Sequence, residues 1–218
     1  MKSLIKNLVV AALLLVGSTT LAAAELSKDY KLLNPSQPTS TKNIEVLEFF
    51  FYGCPHCFSL HPAMSAWEKN MPKDVELTYV PTIFRDSWEP MAHTFYALES
   101  MGQQHQLHDP LYQAWNVDKV DLSDEAKILD FVAPRGIDRA KFSAAYNSFS
   151  VQSKVARAKQ MIRSYGITGT PALVVDGKYL ISGLQVEDTI RVLNEVIAMA
   201  RKDHPAEGKQ TAKAKAKR

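Results

Sequence analysis

The segment FFFYGCPHCFSLHP, residues 49–62, joins a run of large apolar side chains to the only two cysteines in a chain of 218 residues. Upstream of the cysteines, residues 43–52 are rich in β-branched and aromatic types and are apolar on both alternating faces, apart from Glu45 and Glu48. A strand with two apolar faces is typical of the centre of a sheet that is covered on both sides. The segment therefore predicts a buried central strand that ends at Gly53.

The residues after this strand predict the start of a helix. Pro55 suits a first-turn position because its missing N–H would have no partner within the helix there. Cys54 and Cys57 are then placed at the helix N-terminus, where unpaired N–H groups and the helix dipole stabilise negative charge. A thiolate on Cys54, the more exposed of the two sulfurs, gains most from this position, and a protonated His56 would add to the effect.

The rest of the chain predicts an α/β fold in which a helical block interrupts the strands. The sequence predicts a second strand at residues 75–84, the helical block at 88–165, two hairpin strands at 172–175 and 178–181, and a closing amphipathic helix at 186–199. The block is indicated by apolar residues at helical spacing, and the hairpin by an Asp-Gly pair between its strands. Ser123 and Asp138 are expected to be helix N-caps, and Gly136 and Gly166 to follow helix C-termini.

The first 24 residues predict a cleaved secretory signal. Lys2 and Lys6 precede an apolar run at residues 8–16, and small residues lead to Ala24. An uncleaved membrane anchor is the alternative, but the apolar run is far shorter than the roughly 20 residues that a spanning helix needs. We therefore expect cleavage after Ala24 and export to an oxidising compartment, the bacterial periplasm.

The charge distribution argues against a nucleic-acid role. Residues 25–200 carry 17 basic and 21 acidic side chains, whereas residues 201–218 carry seven basic and two acidic ones. A nucleic-acid-binding domain needs a basic face on its folded part, and that excess is missing here. The basic tail lacks large apolar residues and is predicted to be disordered.

Three functions are open to Cys54 and Cys57. A structural disulfide over so short a loop removes little entropy from the unfolded chain, because stabilisation grows with loop length. A tetrahedral zinc site needs further ligands, and although His56 and His61 are close, no second Cys or His pair with metal spacing is present. A redox pair fits the helix N-terminus, since a stabilised thiolate favours the reduced form and makes the disulfide an oxidant.

At the CPHC motif the chain resembles the thioredoxin-like protein-disulfide oxidoreductases, and most closely the DsbA family. The matching segments are VLEFFFYGCPHC and GTPALVVDGKY, residues 46–57 and 169–179. The resemblance implies a thioredoxin fold with an inserted all-helical domain. The implied divisions are a signal peptide at residues 1–24, a first thioredoxin-like part at 25–87, the helical insertion at 88–165, a second thioredoxin-like part at 166–202 and the basic tail at 203–218.

The resemblance also implies roles at the site. Cys54 is the attacking and transferring thiol, and Cys57 resolves the mixed disulfide. Pro171 forms a cis peptide bond beside the pair, and the backbone at Thr170 binds an extended substrate by strand addition. The best-known members of the family carry Val before this proline, where the present chain has Thr170.

Glu48 interrupts an apolar strand face. From the residues alone, an edge strand or a partly exposed strand end would accommodate it. The resemblance implies instead a buried acid that handles protons for Cys57, with Lys73 as its counter-charge. Burial and a nearby thiolate should then raise the pKa of Glu48.

These features predict a periplasmic, monomeric thiol:disulfide oxidase that donates the Cys54–Cys57 disulfide to reduced, unfolded exported proteins. A membrane partner similar to DsbB is expected to restore the disulfide, and neither a metal nor an organic cofactor is required. The nearest alternative is a disulfide reductase or isomerase, although residues 25–42 are too few for the dimerisation domain that such isomerases usually carry. The alternative of another class is a metal-binding module that uses Cys54, Cys57 and His61.

Overall fold

The computed structural model describes residues 24–203, so the predicted signal before Ala24 and the tail at 204–218 lie outside the described residues. Within this range the order of elements agrees with the predicted strand–helix–strand unit, helical block, hairpin and closing helix. The elements are β1 (Lys31–Leu32), β2 (Ile44–Phe50), α1 (Pro55–Lys69), β3 (Val75–Pro81), α2 (Glu89–Ser100), α3 (Gln104–Asn116), α4 (Glu125–Val132), α5 (Arg139–Tyr146), α6 (Phe149–Ser164), β4 (Ala172–Val175), β5 (Tyr179–Ser182) and α7 (Val186–Asp203).

The strands form one mixed sheet in the order β1-β5-β4-β2-β3. Strand β2 pairs in parallel with β3 and antiparallel with β4, and every residue of β2 is buried. The remaining pairs, β4 with β5 and β5 with β1, are antiparallel. Strand β2 is therefore the interior strand that its apolar faces predict, and Glu48 does not lie on an edge.

Strand β2 contributes side chains to two apolar cores. Val46 belongs to the core formed with α1 and α7, which includes Met64 and Leu193. Phe50 belongs to the core formed with the helical block, where its ring packs 5.3 Å from that of Phe95. Each large apolar side chain that is fully buried in this way contributes about 1.5–3 kcal/mol. The strand is held from both sides, so the turn that follows it has a fixed position.

The helix caps agree with the sequence at most positions. Asp138 caps α5 by accepting a hydrogen bond from the N–H three residues later, and Gly136 and Gly166 adopt positive φ, as expected. The expected cap at Ser123 is wrong, because α4 is capped by Asp124 instead. The carboxylate directly precedes the first helical residue, where it also interacts favourably with the helix dipole.

Helix α7 is helical through Asp203, the last described residue, whereas the sequence predicted the closing helix over residues 186–199. The Asp203 carboxylate lies 2.5 Å from the Lys178 ammonium and accepts a 3.3 Å hydrogen bond from the hydroxyl of Tyr179. These contacts tie the end of α7 to the β4–β5 hairpin. No helix among residues 24–203 combines the length and the apolar character that crossing a membrane demands.

Candidate active site

The turn after β2 places Cys54 at the N-terminus of α1. Cys54 has an extended backbone, with φ −90° and ψ 117°, and Pro55 is the first helical residue. The Cys54 N–H donates to the carbonyl of Phe51 at 3.0 Å, while its own carbonyl accepts from the N–H of Phe58 at 3.0 Å. The Cys54 sulfur therefore lies where the first N–H groups of the helix have no helical partners.

The two cysteines differ sharply in exposure. Cys54 is half-buried, whereas Cys57 is 0% exposed. Both are free thiols, so the structure describes the reduced form. A substrate can reach the sulfur of Cys54 but not that of Cys57.

The surroundings of Cys54 lower its pKa from 9.0 to about 4. The largest cause is the hydrogen bond from the Cys57 thiol, which partial burial opposes. Contact with Thr170 and the backbone N–H groups of Cys57 and His56 lower it further. The contribution of His56 comes from its backbone N–H, and its ring is exposed.

The pKa of Cys57 moves in the opposite direction. Burial raises it most, followed by the hydrogen bond that the thiol gives to Cys54 and the neighbouring charge on Cys54. Cys57 is therefore a protonated thiol at neutral pH. It needs a nearby base before it can act as a nucleophile.

Glu48 is a buried acid, 1% exposed, with Tyr79 and Leu173 opposite it on the adjacent strands. Burial raises its pKa to about 8, with Glu68 as the second cause. The direction agrees with the prediction, but the second cause is a carboxylate on α1 and not a thiolate. The hydroxyl of Tyr79 donates to Glu68 at 2.8 Å, which holds this carboxylate beside the strand.

Lys73 is not the counter-charge of Glu48, and that prediction is wrong. Lys73 is exposed in the turn before β3, whose first residue, Val75, pairs with Ile44. Glu48 lies four residues further along β2, about 13 Å away at the usual rise of a strand. Lys73 follows the C-terminus of α1, whereas the cysteines are at the N-terminus of the same helix, so the length of α1 separates Lys73 from the cysteines.

The peptide bond between Thr170 and Pro171 is cis, as the sequence predicted. The Cys54 sulfur lies 3.3 Å from the Thr170 carbonyl oxygen, so this loop lies directly against the reactive sulfur. A groove of about 720 Å³ extends from this point, lined by His56, Pro171 and Leu184 among others. The lining is almost uncharged apart from Lys31, so it suits a neutral, extended segment of polypeptide.

Comparison with known proteins identifies the family. The model of the DSBA-like thioredoxin domain matches residues 45–193. The chain belongs to this family. The thiol:disulfide interchange proteins DsbA of Pseudomonas aeruginosa and Burkholderia cepacia are 35% and 36% identical to it over 180 and 183 residues, covering 80% and 82% of this chain and 85% and 86% of theirs. The crystal structure of Pseudomonas aeruginosa DsbA superposes with a TM-score of 0.79 at 33% identity, over 83% of this chain and 96% of that one.

Membership of the DsbA-like family confirms two predictions. The fold is a thioredoxin fold with an inserted helical domain, formed here by α2 to α6 between β3 and β4. The protein is a protein-disulfide oxidoreductase.

In this DsbA-like chain the helical domain closely covers one side of the active-site turn. A Cβ added at Gly53 would lie 2.4 Å from the Phe51 ring and 2.6 Å from the Trp115 indole nitrogen. The Phe51 ring is itself stacked on Trp88 at 3.8 Å. Only glycine fits before Cys54 without displacing these rings.

Sequence reasoning missed the α3 side chains that pack beneath the cysteines, which include His108 and Tyr112. The sequence offers only a stripe of large side chains on α3, which indicates a packing face but not what that face packs against. His61, the third ligand of the metal-binding alternative, has its ring against Asp109 of α3. Over residues 24–203, no three His, Cys, Asp or Glu side chains converge so as to hold a metal ion.

Proposed function

We propose that this DsbA-like protein is a periplasmic oxidase that donates the Cys54–Cys57 disulfide to reduced exported proteins. The observation that carries the proposal is that the two thiols differ in exposure and have pKa values shifted in opposite directions. Cys54 is accessible with a pKa near 4, while Cys57 is sealed with a raised pKa. Stabilising the Cys54 thiolate stabilises the reduced form, by about 30 mV for each 1.4 kcal/mol, and this makes the disulfide a strong oxidant.

The exchange proceeds in two steps. A substrate thiolate attacks the Cys54 sulfur, the Cys54–Cys57 bond breaks, and the electron pair leaves on Cys57, which takes up a proton. A second substrate thiolate then attacks the substrate sulfur of the mixed disulfide, and Cys54 leaves as a thiolate. The substrate has gained a disulfide and the enzyme has gained two electrons. The low pKa of Cys54 makes it a good leaving group in the second step.

Glu48 is the proposed acid and base for Cys57. Cys57 needs a proton when it leaves and a base when it attacks, and solvent does not reach it. With a pKa of about 8, Glu48 carries a proton at neutral pH and can donate or recover it within the working range of the enzyme.

Thr170 and Pro171 are the proposed substrate platform. The Thr170 carbonyl lies against the Cys54 sulfur, and the groove continues beyond it along the start of β4. An extended chain laid in the groove would bond the Thr170 backbone as an added strand, with a cysteine beside Cys54. Because main-chain bonds do not depend on side-chain identity, many unfolded sequences would be accepted.

The biological setting follows from this chemistry and from the predicted signal cleaved after Ala24. Exported proteins that still carry reduced thiols are the substrates, in the bacterial periplasm. A membrane oxidant similar to DsbB would attack through the same accessible Cys54 and restore the disulfide. The enzyme would act as a monomer.

The reduction potential of the pair tests the proposal. The mature protein is equilibrated with mixtures of reduced and oxidised glutathione, and the ratio of its dithiol and disulfide forms is read by mass spectrometry. In parallel, the oxidised protein is mixed with a reduced, unfolded model protein, and disulfide formation is followed. We expect a potential above that of the glutathione pool and rapid oxidation of the model protein. A potential well below that of glutathione would support the reductase alternative instead.

A further inference from the structure

Four polar aromatic side chains form a buried cluster where α1 packs on α3, near Cys57: His61, His108, Tyr112 and Tyr52. The ring of His61 lies 4.7 Å from that of His108 and 4.8 Å from that of Tyr112. The Tyr52 ring lies 5.0 Å from Tyr112, and its hydroxyl is 2.7 Å from Nδ1 of His108. Ionisable rings are rarely gathered in a protein interior without a reason, since burying polar groups costs free energy.

The two ring nitrogens of His61 face different surroundings. Nε2 contacts the carboxylate of Asp109, whose side chain is 78% exposed to solvent. Nδ1 is buried and has no hydrogen-bond partner among residues 24–203. Because a proton can enter an imidazole at one nitrogen while another leaves from the second, His61 connects Asp109 at the surface to the interior.

Tyr112 and Glu48 carry two further buried polar atoms near the cluster. The Tyr112 hydroxyl and Oε2 of Glu48 are both buried, and neither has a partner in the described part of the chain. Burial raises the pKa of Tyr112 most, and Cys57 and Glu48 are the next causes. The phenol therefore lies within electrostatic range of both the sealed thiol and its proposed acid.

The reaction requires a proton on Cys57, which solvent does not reach. In the reduced form Cys57 is protonated, and below pH 8 Glu48 is protonated as well. If Glu48 gives its proton to Cys57 during reduction, it must be reprotonated from solvent. Glu48 is only 1% exposed, so that proton has to pass through the protein.

We propose that His61 and Tyr112 form the proton path between solvent at Asp109 and the buried carboxyl of Glu48. The proposal rests on the proposed role of Glu48. Asp109 takes up a proton from solvent and passes it to Nε2 of His61, in the tautomer whose other proton is on Nδ1, and that Nδ1 proton passes toward Tyr112. The Tyr112 hydroxyl in turn passes its proton to the Glu48 carboxylate. These atoms do not bond each other directly, so bound water bridges them, as is common between buried polar groups. During reoxidation the same path runs outward.

The other titratable groups around the path do not take the place of His61 and Tyr112 as proton carriers. His108 remains neutral, because burial, His61 and His105 all hold its pKa well below the usual value. The β-strand side contributes Tyr52 and Tyr79, whose pKa values are raised by burial. Glu68 on α1 bonds Tyr79 and acts on the path by raising the pKa of Glu48. His61 is the imidazole that contacts an exposed carboxylate.

The test compares His61→Gln and Tyr112→Phe with the matched control Tyr96→Phe. Tyr96 is a buried tyrosine on α2 outside the cluster, so the control loses the same atom elsewhere. The oxidised mature protein is mixed with dithiothreitol in weak buffer that contains a pH-indicator dye. Thiol formation in the enzyme is followed in the same experiment by rapid quenching and mass spectrometry. The equilibrium with glutathione and the free energy of unfolding are measured for each variant.

In the wild type and in Tyr96→Phe we expect proton uptake to keep pace with reduction. Oxidation of the dithiol releases two protons and Cys57 takes up one, because Cys54 stays a thiolate. In His61→Gln and Tyr112→Phe, uptake should lag by about tenfold or more, so proton release first approaches two per enzyme and then returns to the net one of the wild type, with an unchanged final equilibrium. Traces of both variants that overlay the control would overturn the path. If either variant is unstable, the other decides. Failure of the wild type to react with the dithiol would instead overturn the proposed function.

Discussion

The mouth of the active site, which is the exposed region around Cys54, stabilises negative charge. The chamber beneath it, which is the buried region around Cys57 and Glu48, disfavours charge. At the mouth, Cys54 lies at a helix N-terminus beside the neutral groove and holds a thiolate. In the chamber, Cys57 and Glu48 are sealed and both retain their protons at neutral pH. The two sulfurs belong to the same turn of α1, so the difference arises from orientation and not from distance.

This contrast separates two tasks of a disulfide donor. The mouth exchanges thiols with substrates, for which an accessible thiolate and a good leaving group are needed. The chamber supplies and removes the accompanying proton, for which a carboxyl with a pKa near neutrality is suited. One region stabilises charge by hydrogen bonds, and the other excludes it by burial.

The largest expected effect is on trapping of substrates in cells. Cys57→Ser leaves the accessible thiol but removes its resolving partner, so mixed disulfides on Cys54 should accumulate. Cys54→Ser leaves only a buried thiol with a raised pKa and should trap almost nothing. Non-reducing gels of cells that express each variant, with a reduced lane beside each, give the comparison. Equal ladders for the two variants would contradict the assignment of roles.

The second effect is on the pKa of Cys54. Since the hydrogen bond from Cys57 is the largest cause of its low value, Cys57→Ala should raise this pKa markedly. Cys57→Ser should raise it less, because a hydroxyl can still donate. Thiolate absorbance followed against pH measures both variants and the wild type, for which we expect a midpoint near 4. Identical midpoints for Cys57→Ala and the wild type would show that the helix N-terminus alone stabilises the thiolate.

The third effect is on the pH dependence of stability through Glu48. The folded pKa of about 8 lies above the reference value of 4.5, so the folded state binds the extra proton between these values and loses stability as pH rises through them. At about 1.4 kcal/mol per pH unit, the loss reaches roughly 3 kcal/mol at pH 7. Glu48→Gln should recover up to that amount at pH 7 and little at pH 4. Urea unfolding of oxidised protein across this range measures it, and parallel curves for both proteins would refute the burial argument.

The fourth effect has the opposite sign and belongs to the reduced form alone. The pKa of Cys54 is about 4 when folded and 9.0 as reference, so its thiolate stabilises the reduced protein fully above pH 9 and progressively less as pH falls to 4. Allowing for solvent screening of a half-exposed group, the contribution at pH 7 is about 2 kcal/mol. The reduced form should therefore melt above the oxidised form at pH 7, with the gap closing toward pH 4. A gap that does not depend on pH would contradict this.

The smallest expected effect concerns the packing above the mouth. Gly53→Ala must displace the Phe51 and Trp115 rings and should destabilise the protein by about 1–3 kcal/mol. Gly169→Ala is a matched control, because nothing lies within 4 Å of a Cβ added there. Chemical unfolding of both variants tests the difference. Equal stabilities would mean that the rings of Phe51 and Trp115 can move aside at no cost in the free energy of unfolding.

The local structure and the reactive motif could be predicted from the sequence. The strand that ends at Gly53, the helix that begins at Pro55 and the hairpin around Asp176-Gly177 all follow from patterns within ten or twenty residues. The accessible Cys54 and sealed Cys57 follow from the same local geometry. Patterns of this length were sufficient because backbone periodicity, capping and turn chemistry act between near neighbours.

Only the tertiary structure decided which side chains surround the sealed thiol. It placed Lys73 at the far end of the strand, Glu68 beside Glu48, and the α3 residues His108 and Tyr112 beneath the cysteines. On its own, the stripe on α3 predicts an apolar packing face and nothing more. Its partner is set by how α3 packs on α1, some 50 residues earlier in the chain, and packing between distant segments leaves no periodic trace in either one.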